Sequence, residues 1–148
     1  MKKPLILGFY GKSKAGKTTL ITQLIKKLTL EDFVVVTVKI TNKSINIDTI
    51  GKDTWKYAEA GSKFIILSSK NETDYIIKRK ESIDNIIENI IKFHEVDIIF
   101  IEGINDIKTP KIRIGNIKNR ENTILTYKNN IEKLLRLIKE MINQEKNI

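Results

Sequence analysis

Leu5-Ile6-Leu7-Gly8-Phe9-Tyr10, running directly into Gly11-Lys12-Ser13-Lys14-Ala15-Gly16-Lys17-Thr18, is the stretch from which the fold can be read. The first six residues are an almost wholly apolar run of strand length. The next eight match the phosphate-binding spacing of Gly, four free positions, Gly, Lys and then Ser or Thr. Leu20, Ile21, Leu24, Ile25 and Leu28 then recur at helical spacing. A buried strand, a glycine-bounded loop and an amphipathic helix together predict a P-loop. The residue types suit polyphosphate: Gly11 and Gly16 let the backbone turn and bring its amides close, at the positive end of a helix dipole. Lys17 is placed for the β and γ phosphates, Thr18 for a magnesium ion, and Thr19 for the α phosphate. Lys12 and Lys14 add local positive potential.

Working outward, Phe33-Val34-Val35-Val36-Thr37-Val38-Lys39-Ile40 reads as a second buried strand and Thr41 to Asp53 as a polar loop. A short helix over Trp55 to Ala60 ends at Gly61, a C-terminal cap in the left-handed conformation. Lys63 to Ser68 and Thr73 to Lys78 follow as two strands. Ser82 caps a helix with Ile83, Ile86, Ile87, Ile90 and Ile91 on one face. Val96-Asp97-Ile98-Ile99-Phe100-Ile101-Glu102-Gly103 is a continuous apolar strand ending in a carboxylate, a Walker-B-like pattern. In a parallel sheet Glu102 emerges on the same edge as Lys17 and Thr18, to hold magnesium through water or to orient an attacking water. Lys111 to Ile114 and Asn122 to Tyr127 are two more strands. A closing helix carries Ile131, Leu134, Leu135, Ile138 and Ile142, with a tail expected to fray from Asn143. Strands alternating with helices predict a three-layer α/β P-loop NTPase fold, its central sheet mainly parallel and flanked by helices.

The whole chain bounds this reading. Its 148 residues suit one P-loop nucleotide-binding domain over 1–148. The absence of cysteine removes disulfides and thiolate metal sites. Met1-Lys2-Lys3-Pro4 enters the first strand without a signal-type apolar region, and no apolar run is long enough to cross a bilayer, so a cytoplasmic protein with no membrane partner is expected. The net charge of +9 favours polyanions in general. Nucleic acid is not the expected partner, because the basic residues are spread lysines, arginine is confined to Arg79, Arg113, Arg120 and Arg136, and no aromatic stacking pattern accompanies them.

Val38-Lys39, Asp48, Gly51-Lys52-Asp53-Thr54-Trp55, Glu59-Ala60-Gly61, Ile101-Glu102-Gly103 and Pro110-Lys111-Ile112 together resemble the molybdopterin-guanine dinucleotide biosynthesis protein B (MobB) family. The resemblance covers the chain from the first strand to about Ile114. It implies a GTP-binding accessory protein of molybdenum or tungsten cofactor synthesis, cytoplasmic and homodimeric, acting beside a guanylyltransferase with weak intrinsic GTPase activity and with magnesium. Carried onto matching positions, it assigns Gly11, Lys12, Ser13, Lys14, Ala15, Gly16, Lys17, Thr18 and Thr19 to the phosphates. Lys17 and Glu102 become the catalytic candidates, and Thr18, Asp48, Asp53 and Glu102 the magnesium or switch candidates. Turn chemistry and helix capping account equally for Asp48 and Asp53.

The chain also departs from the family. Lys39-Ile40-Thr41-Asn42-Lys43 stands where relatives often carry Lys-His-Thr-His-His, Asn46 replaces a usual aspartate, and Glu102-Gly103-Ile104-Asn105 replaces Glu-Gly-Phe-Lys. Asn42-Lys43-Ser44-Ile45 is not a guanine reader, since it lacks the aspartate. ATP therefore competes with GTP at the level of residues, and a small P-loop kinase or ATP-dependent NTPase acting on a metabolite is the alternative, with Lys78-Arg79-Lys80 as its lid. Lys12 could also reach a partner subunit's nucleotide. His94, near a helix end, is assigned no catalytic part.

Overall fold

The structure is a computed structural model that describes residues 3–147. Its elements follow in the order β1 (Leu5–Gly11), α1 (Lys17–Thr29), β2 (Val35–Lys39), α2 (Asp53–Glu59), β3 (Phe64–Ser68), β4 (Thr73–Ile77), α3 (Ile83–Phe93), β5 (Ile98–Glu102), β6 (Lys111–Ile114), β7 (Thr123–Tyr127) and α4 (Ile131–Lys146). They form two compact units. One comprises the chain up to Thr41 together with the residues from Ile90 onward, and the other is Asn42–Asn89.

The first unit is built on a five-stranded sheet ordered β2-β5-β1-β6-β7, every pairing of which is parallel. β1 and β5 lie inside it and are buried on both faces, which is why both read as continuous apolar runs rather than alternating ones. On one face, Leu5, Leu7, Phe9, Ile98 and Phe100 pack with Leu24 and Leu28 of α1 and Leu134, Ile138 and Ile142 of α4. Phe9 and Phe100 meet edge to face at 5.1 Å, an arrangement that aligns the positive ring edge with the negative ring face. α4 stays helical to Lys146, beyond the expected fraying point at Asn143. Buried Ile142 and an ion pair from Lys146 to Asp97 at 3.6 Å hold the last turns.

The opposite face of β1 is covered differently. β5 and β6 flank β1, so the connection 103–110 must cross it. It lies directly on the strand, since a Cβ at Gly8 would stand 2.5 Å from Ile104 Cγ2, and it joins the sheet at Pro110, whose carbonyl accepts from Gly8 N at 2.8 Å. Gly8 is thus a close-approach glycine, a role its place within an apolar run does not announce.

In the second unit β3 and β4 pair only with each other, antiparallel. The two strands expected there exist, but outside the parallel sheet. Their connection is the short segment 69–72, closed by Ser69 N to Glu72 O at 2.9 Å, and a link that short permits a hairpin but no parallel crossover. α2 ends as expected at Gly61, where Gly61 N bonds Ala58 O and Ser62 N bonds Tyr57 O, both at 3.0 Å. Ser82 Oγ accepts from Asn85 N at 3.1 Å and caps α3 as expected. Among the described residues no helix is long and apolar enough to cross a membrane.

Gly8→Ala forces Ile104 or the crossing connection to move, an overpacking cost of about 1–3 kcal/mol. Urea denaturation of the variant should show its midpoint lowered accordingly; an unchanged midpoint would mean that the connection does not rest on the strand.

Candidate functional site

Because all five strands run parallel, their carboxyl ends gather on one edge. The register aligns Lys39 with Glu102, Phe9 with Glu102, Gly11 with Ile114, and Ile114 with Tyr127. The loop Lys12 to Gly16 rises from this edge and enters α1 at Lys17.

The two glycines of the loop act differently. Gly16 has φ +91°, a conformation L side chains rarely adopt, and a Cβ there would meet nothing within 4 Å, so it is needed for its dihedral alone. Gly11 is not at positive φ. Its constraint is the neighbouring strand, since a Cβ would come 2.5 Å from Ile114 O. The second left-handed residue is instead Lys14, at φ 62°. Ala15 N closes the loop onto Lys12 O at 3.1 Å, and Lys17 Nζ donates to Gly11 O at 2.9 Å and Lys12 O at 2.7 Å. The lysine therefore sits across the mouth of its own loop.

α1 begins with no side-chain cap and no acidic residue in its first turn. Its leading amides, on Lys17, Thr18 and Thr19, lie at the positive pole of the dipole, where an anion is the natural partner. Lys12, Ser13 and Lys14 are exposed beside them.

Thr18 and Glu102 are brought together. Both line a depression of about 240 Å³ whose wall also includes Thr37 and Lys39. Glu102 is half-buried, and its carboxylate makes no hydrogen bond or ion pair among the described residues. Lys39, quoted in the sequence as part of a strand and of the family motif but given no role, lines the same depression, in register with Glu102. On the other side of the loop, Ala15, Gly16 and Thr19 open onto a larger cavity of about 570 Å³, bounded by the ends of β6 and β7.

Asp48 and Asp53 belong to the second unit. Asp48 Oδ1 accepts from Thr49 N and Thr54 Oγ1, each at 3.0 Å, while Oδ2 is shielded from solvent without a partner. Turn chemistry thus uses one oxygen and leaves the other. Asp53 opens α2, where a carboxylate favours the helix dipole.

The sequence reading missed what holds the Glu102 turn. Gly103, at φ +90°, packs so closely on β2 that a Cβ would lie 2.6 Å from Ile40 O. Arg120 donates to Ile104 O at 2.8 Å and Gly103 O at 3.4 Å, and its guanidinium stands 4.7 Å from the Tyr10 ring centroid. The Tyr10 hydroxyl accepts from Arg120 N at 3.1 Å and lies 2.6 Å from Thr123 Oγ1, which donates to Arg120 O at 2.6 Å. Lys111 is 0% exposed, and its ammonium is satisfied by the carbonyls of Asp106, Thr109 and Glu121 and by Asp106 Oδ1 at 3.1 Å. The available signal was Pro110-Lys111-Ile112, a motif that places this lysine at the start of a strand. Burial pushes the Asp106 carboxyl up, but hydrogen bonds from the Thr109 side chain and backbone and from Lys111 outweigh it and hold the group below its ordinary value of 3.8.

The family model described as molybdopterin guanine dinucleotide synthesis protein B matches residues 6–140. A molybdopterin-guanine dinucleotide biosynthesis adapter protein of Haemophilus influenzae is 30% identical over 109 residues, 72% of this chain and 61% of that protein. A relative from Methanocaldococcus jannaschii, provisionally named for the same adapter role, is 26% identical over 149 residues, 91% of this chain and again 61% of the relative. The chain thus spans about three-fifths of the length of each. Among solved structures, Bacillus subtilis MobB superposes with a TM-score of 0.73 at 18% identity, covering 93% of this chain and 97% of that one. The Bacillus stearothermophilus MobB homologue gives 0.64 at 14%, covering 97% and 99%.

Lys111→Met leaves three carbonyls and Asp106 without their cation, and should cost about 3 kcal/mol or more in chemical denaturation. Asp106 has a folded pKa below its unfolded one, so its stabilising contribution is complete above about pH 3.8 and is lost as pH falls through the lower folded value. Asp106→Asn should therefore flatten the stability profile below that pH; an identical acid limb in the variant would refute the assignment.

Proposed function

The chain belongs to the molybdopterin guanine dinucleotide synthesis protein B (MobB) family, and we propose that it is a GTP-binding adapter of molybdopterin-guanine dinucleotide synthesis. The observation that carries the nucleotide reading is the loop Gly11 to Thr19 leading into an uncapped α1 across a depression from Glu102. In this reading the Gly16 turn and the first amides of α1 cradle the phosphates, and Lys12, Ser13, Lys14 and Ala15 complete the loop. Lys17 exchanges its two loop carbonyls for the β and γ oxygens, and Thr19 faces the α phosphate.

Magnesium fits the donor set as a companion of the nucleotide. Among the described residues no group of three or more His, Cys, Asp or Glu could hold a metal. The Thr18 hydroxyl and the Glu102 carboxylate border one depression, and magnesium bound chiefly by phosphate and water oxygens needs only one or two protein donors. The ion would neutralise charge on the phosphates. Glu102 would hold it through water or orient a hydrolytic water, and Asp48, through its unpartnered Oδ2, and Asp53 are the switch candidates.

The partner is a guanylyltransferase of cofactor synthesis, the compartment the cytoplasm, and the assembly a homodimer. Support for self-association comes from the hairpin. Phe64 pairs with Ile77 and Ile66 with Tyr75 on one face, each 42–67% exposed, whereas Ile65 on the other face is 5% exposed. Exposed apolar faces of this kind mark interfaces.

Calorimetric titration with GTP and ATP, each with magnesium, tests the reading. GTP should bind in preference to ATP, and Lys17→Ala should weaken it by about a hundredfold, or 2.7 kcal/mol. Preference for ATP would move the chain away from an adapter role, and binding unaffected by Lys17→Ala would remove the loop from the site.

A further inference from the structure

The loop leaves open where the nucleoside lies and how its base is read. The cavity of about 570 Å³ begins at Ala15, Gly16 and Thr19, on the side of the loop away from Glu102, and ends at the carboxyl ends of β6 and β7. Its volume is in the range of small-molecule sites, and Leu20, Ile114 and Tyr127 give it apolar wall against which a planar base can lie. A triphosphate that meets Thr19 with its α phosphate delivers its ribose and base into this space.

The chemistry of the rim is one-sided. Among the described residues no aspartate or glutamate lines the cavity, while Arg113 and Lys128 do. Arg113 is held in place by the fold, its Nε donating to Thr126 Oγ1 at 2.9 Å and NH1 to Ile117 O at 3.0 Å. Lys128, the residue after β7, is exposed and its ammonium makes no hydrogen bond or ion pair among the described residues. An ammonium is a donor and never an acceptor. Guanine offers it two adjacent acceptors, O6 and N7, whereas adenine replaces O6 by an amino donor. A carboxylate, the group that would accept from guanine N1–H and the 2-amino group together, is missing from the wall.

On this basis, and resting on the GTP reading above, we propose that the cavity between α1 and the ends of β6 and β7 holds the nucleoside, and that Lys128 selects guanine through O6 and N7. The 2-amino group is not read. Asn116 and Gln23, whose amides both donate and accept, line the same cavity, and the lysine variant separates the ammonium's part from theirs.

The test uses the full chain with magnesium and four ligands: GTP, ITP, ATP and inorganic tripolyphosphate. ITP keeps O6 and N7 but lacks the 2-amino group, so it should bind within about twofold of GTP, and ATP about tenfold more weakly. Lys128→Met should bring GTP and ATP within about twofold of each other while tripolyphosphate, held by the loop, changes by less than about threefold. ITP bound far more weakly than GTP, or a GTP-to-ATP ratio that survives Lys128→Met, overturns this inference and leaves the GTP adapter standing. Failure of the wild type to bind GTP overturns both.

Discussion

An α-helix that begins without a cap, at the end of a strand buried on both faces, is the constraint from which the rest of the first unit follows. β1 cannot shift, because Phe9 packs against Phe100 on one side and Gly8 lies against Pro110 and Ile104 on the other. α1 cannot shift either, with Leu24 and Leu28 fully buried beneath it. The five residues between them must therefore turn within a fixed distance. That turn is made by left-handed Lys14 and Gly16, which leaves the first amides of α1 pointing out of the protein's own hydrogen bonding. The uncapped edge is thus a by-product of core packing, set in place by residues that lie beneath it.

The same edge has two sides with different chemistry. Toward β5 and β2 the loop faces the oxygen groups of Thr18 and Glu102 beside the ammonium of Lys39. Toward β6 and β7 it faces apolar wall and basic residues without a carboxylate. The division is set by strand order, since β1 lies between β5 and β6. Holding the Glu102 side in place falls to Arg120 and Lys111, which fasten the irregular crossing by its carbonyls. Removing either cation leaves acceptors buried without donors, a cost larger than the bonds contribute in water.

Much of this was legible in the residues. The loop, its flanking strand and helix, and the apolar strand ending at Glu102 each combine a period with a chemical signature, and each is present; the family motifs pointed to the family that the comparisons identify. What was not legible depends on contacts distant in sequence. Gly11 looks like a turn glycine by motif, yet its constraint is a carbonyl on a strand a hundred residues away, Ile114. β3 and β4 have the composition of sheet strands, and only the short link between them separates a hairpin from membership of the parallel sheet. The Tyr10–Thr123–Arg120 chain of hydrogen bonds joins residues with no common motif. Lys39 was seen as the end of a strand, and its place opposite Glu102 follows from register, which composition does not encode.

The residues that differ from the family pattern are not spread evenly over these structures. The loop glycines, Glu102 and Gly103 keep their types, and of these Gly11, Gly16 and Gly103 are fixed by dihedral angle or close approach. The histidine-poor stretch after Lys39 runs into the second unit, where Ile45, Ile47 and Ile50 are exposed and Asp48 has one oxygen bonded and one not. A segment with so much exposed side chain is weakly constrained by packing, so substitutions at Ile45, Ile47 and Ile50 cost the fold little. Its side chains can therefore change without disturbing the sheet, whereas Gly16 is held by its dihedral angle and Gly11 and Gly103 by a neighbouring carbonyl.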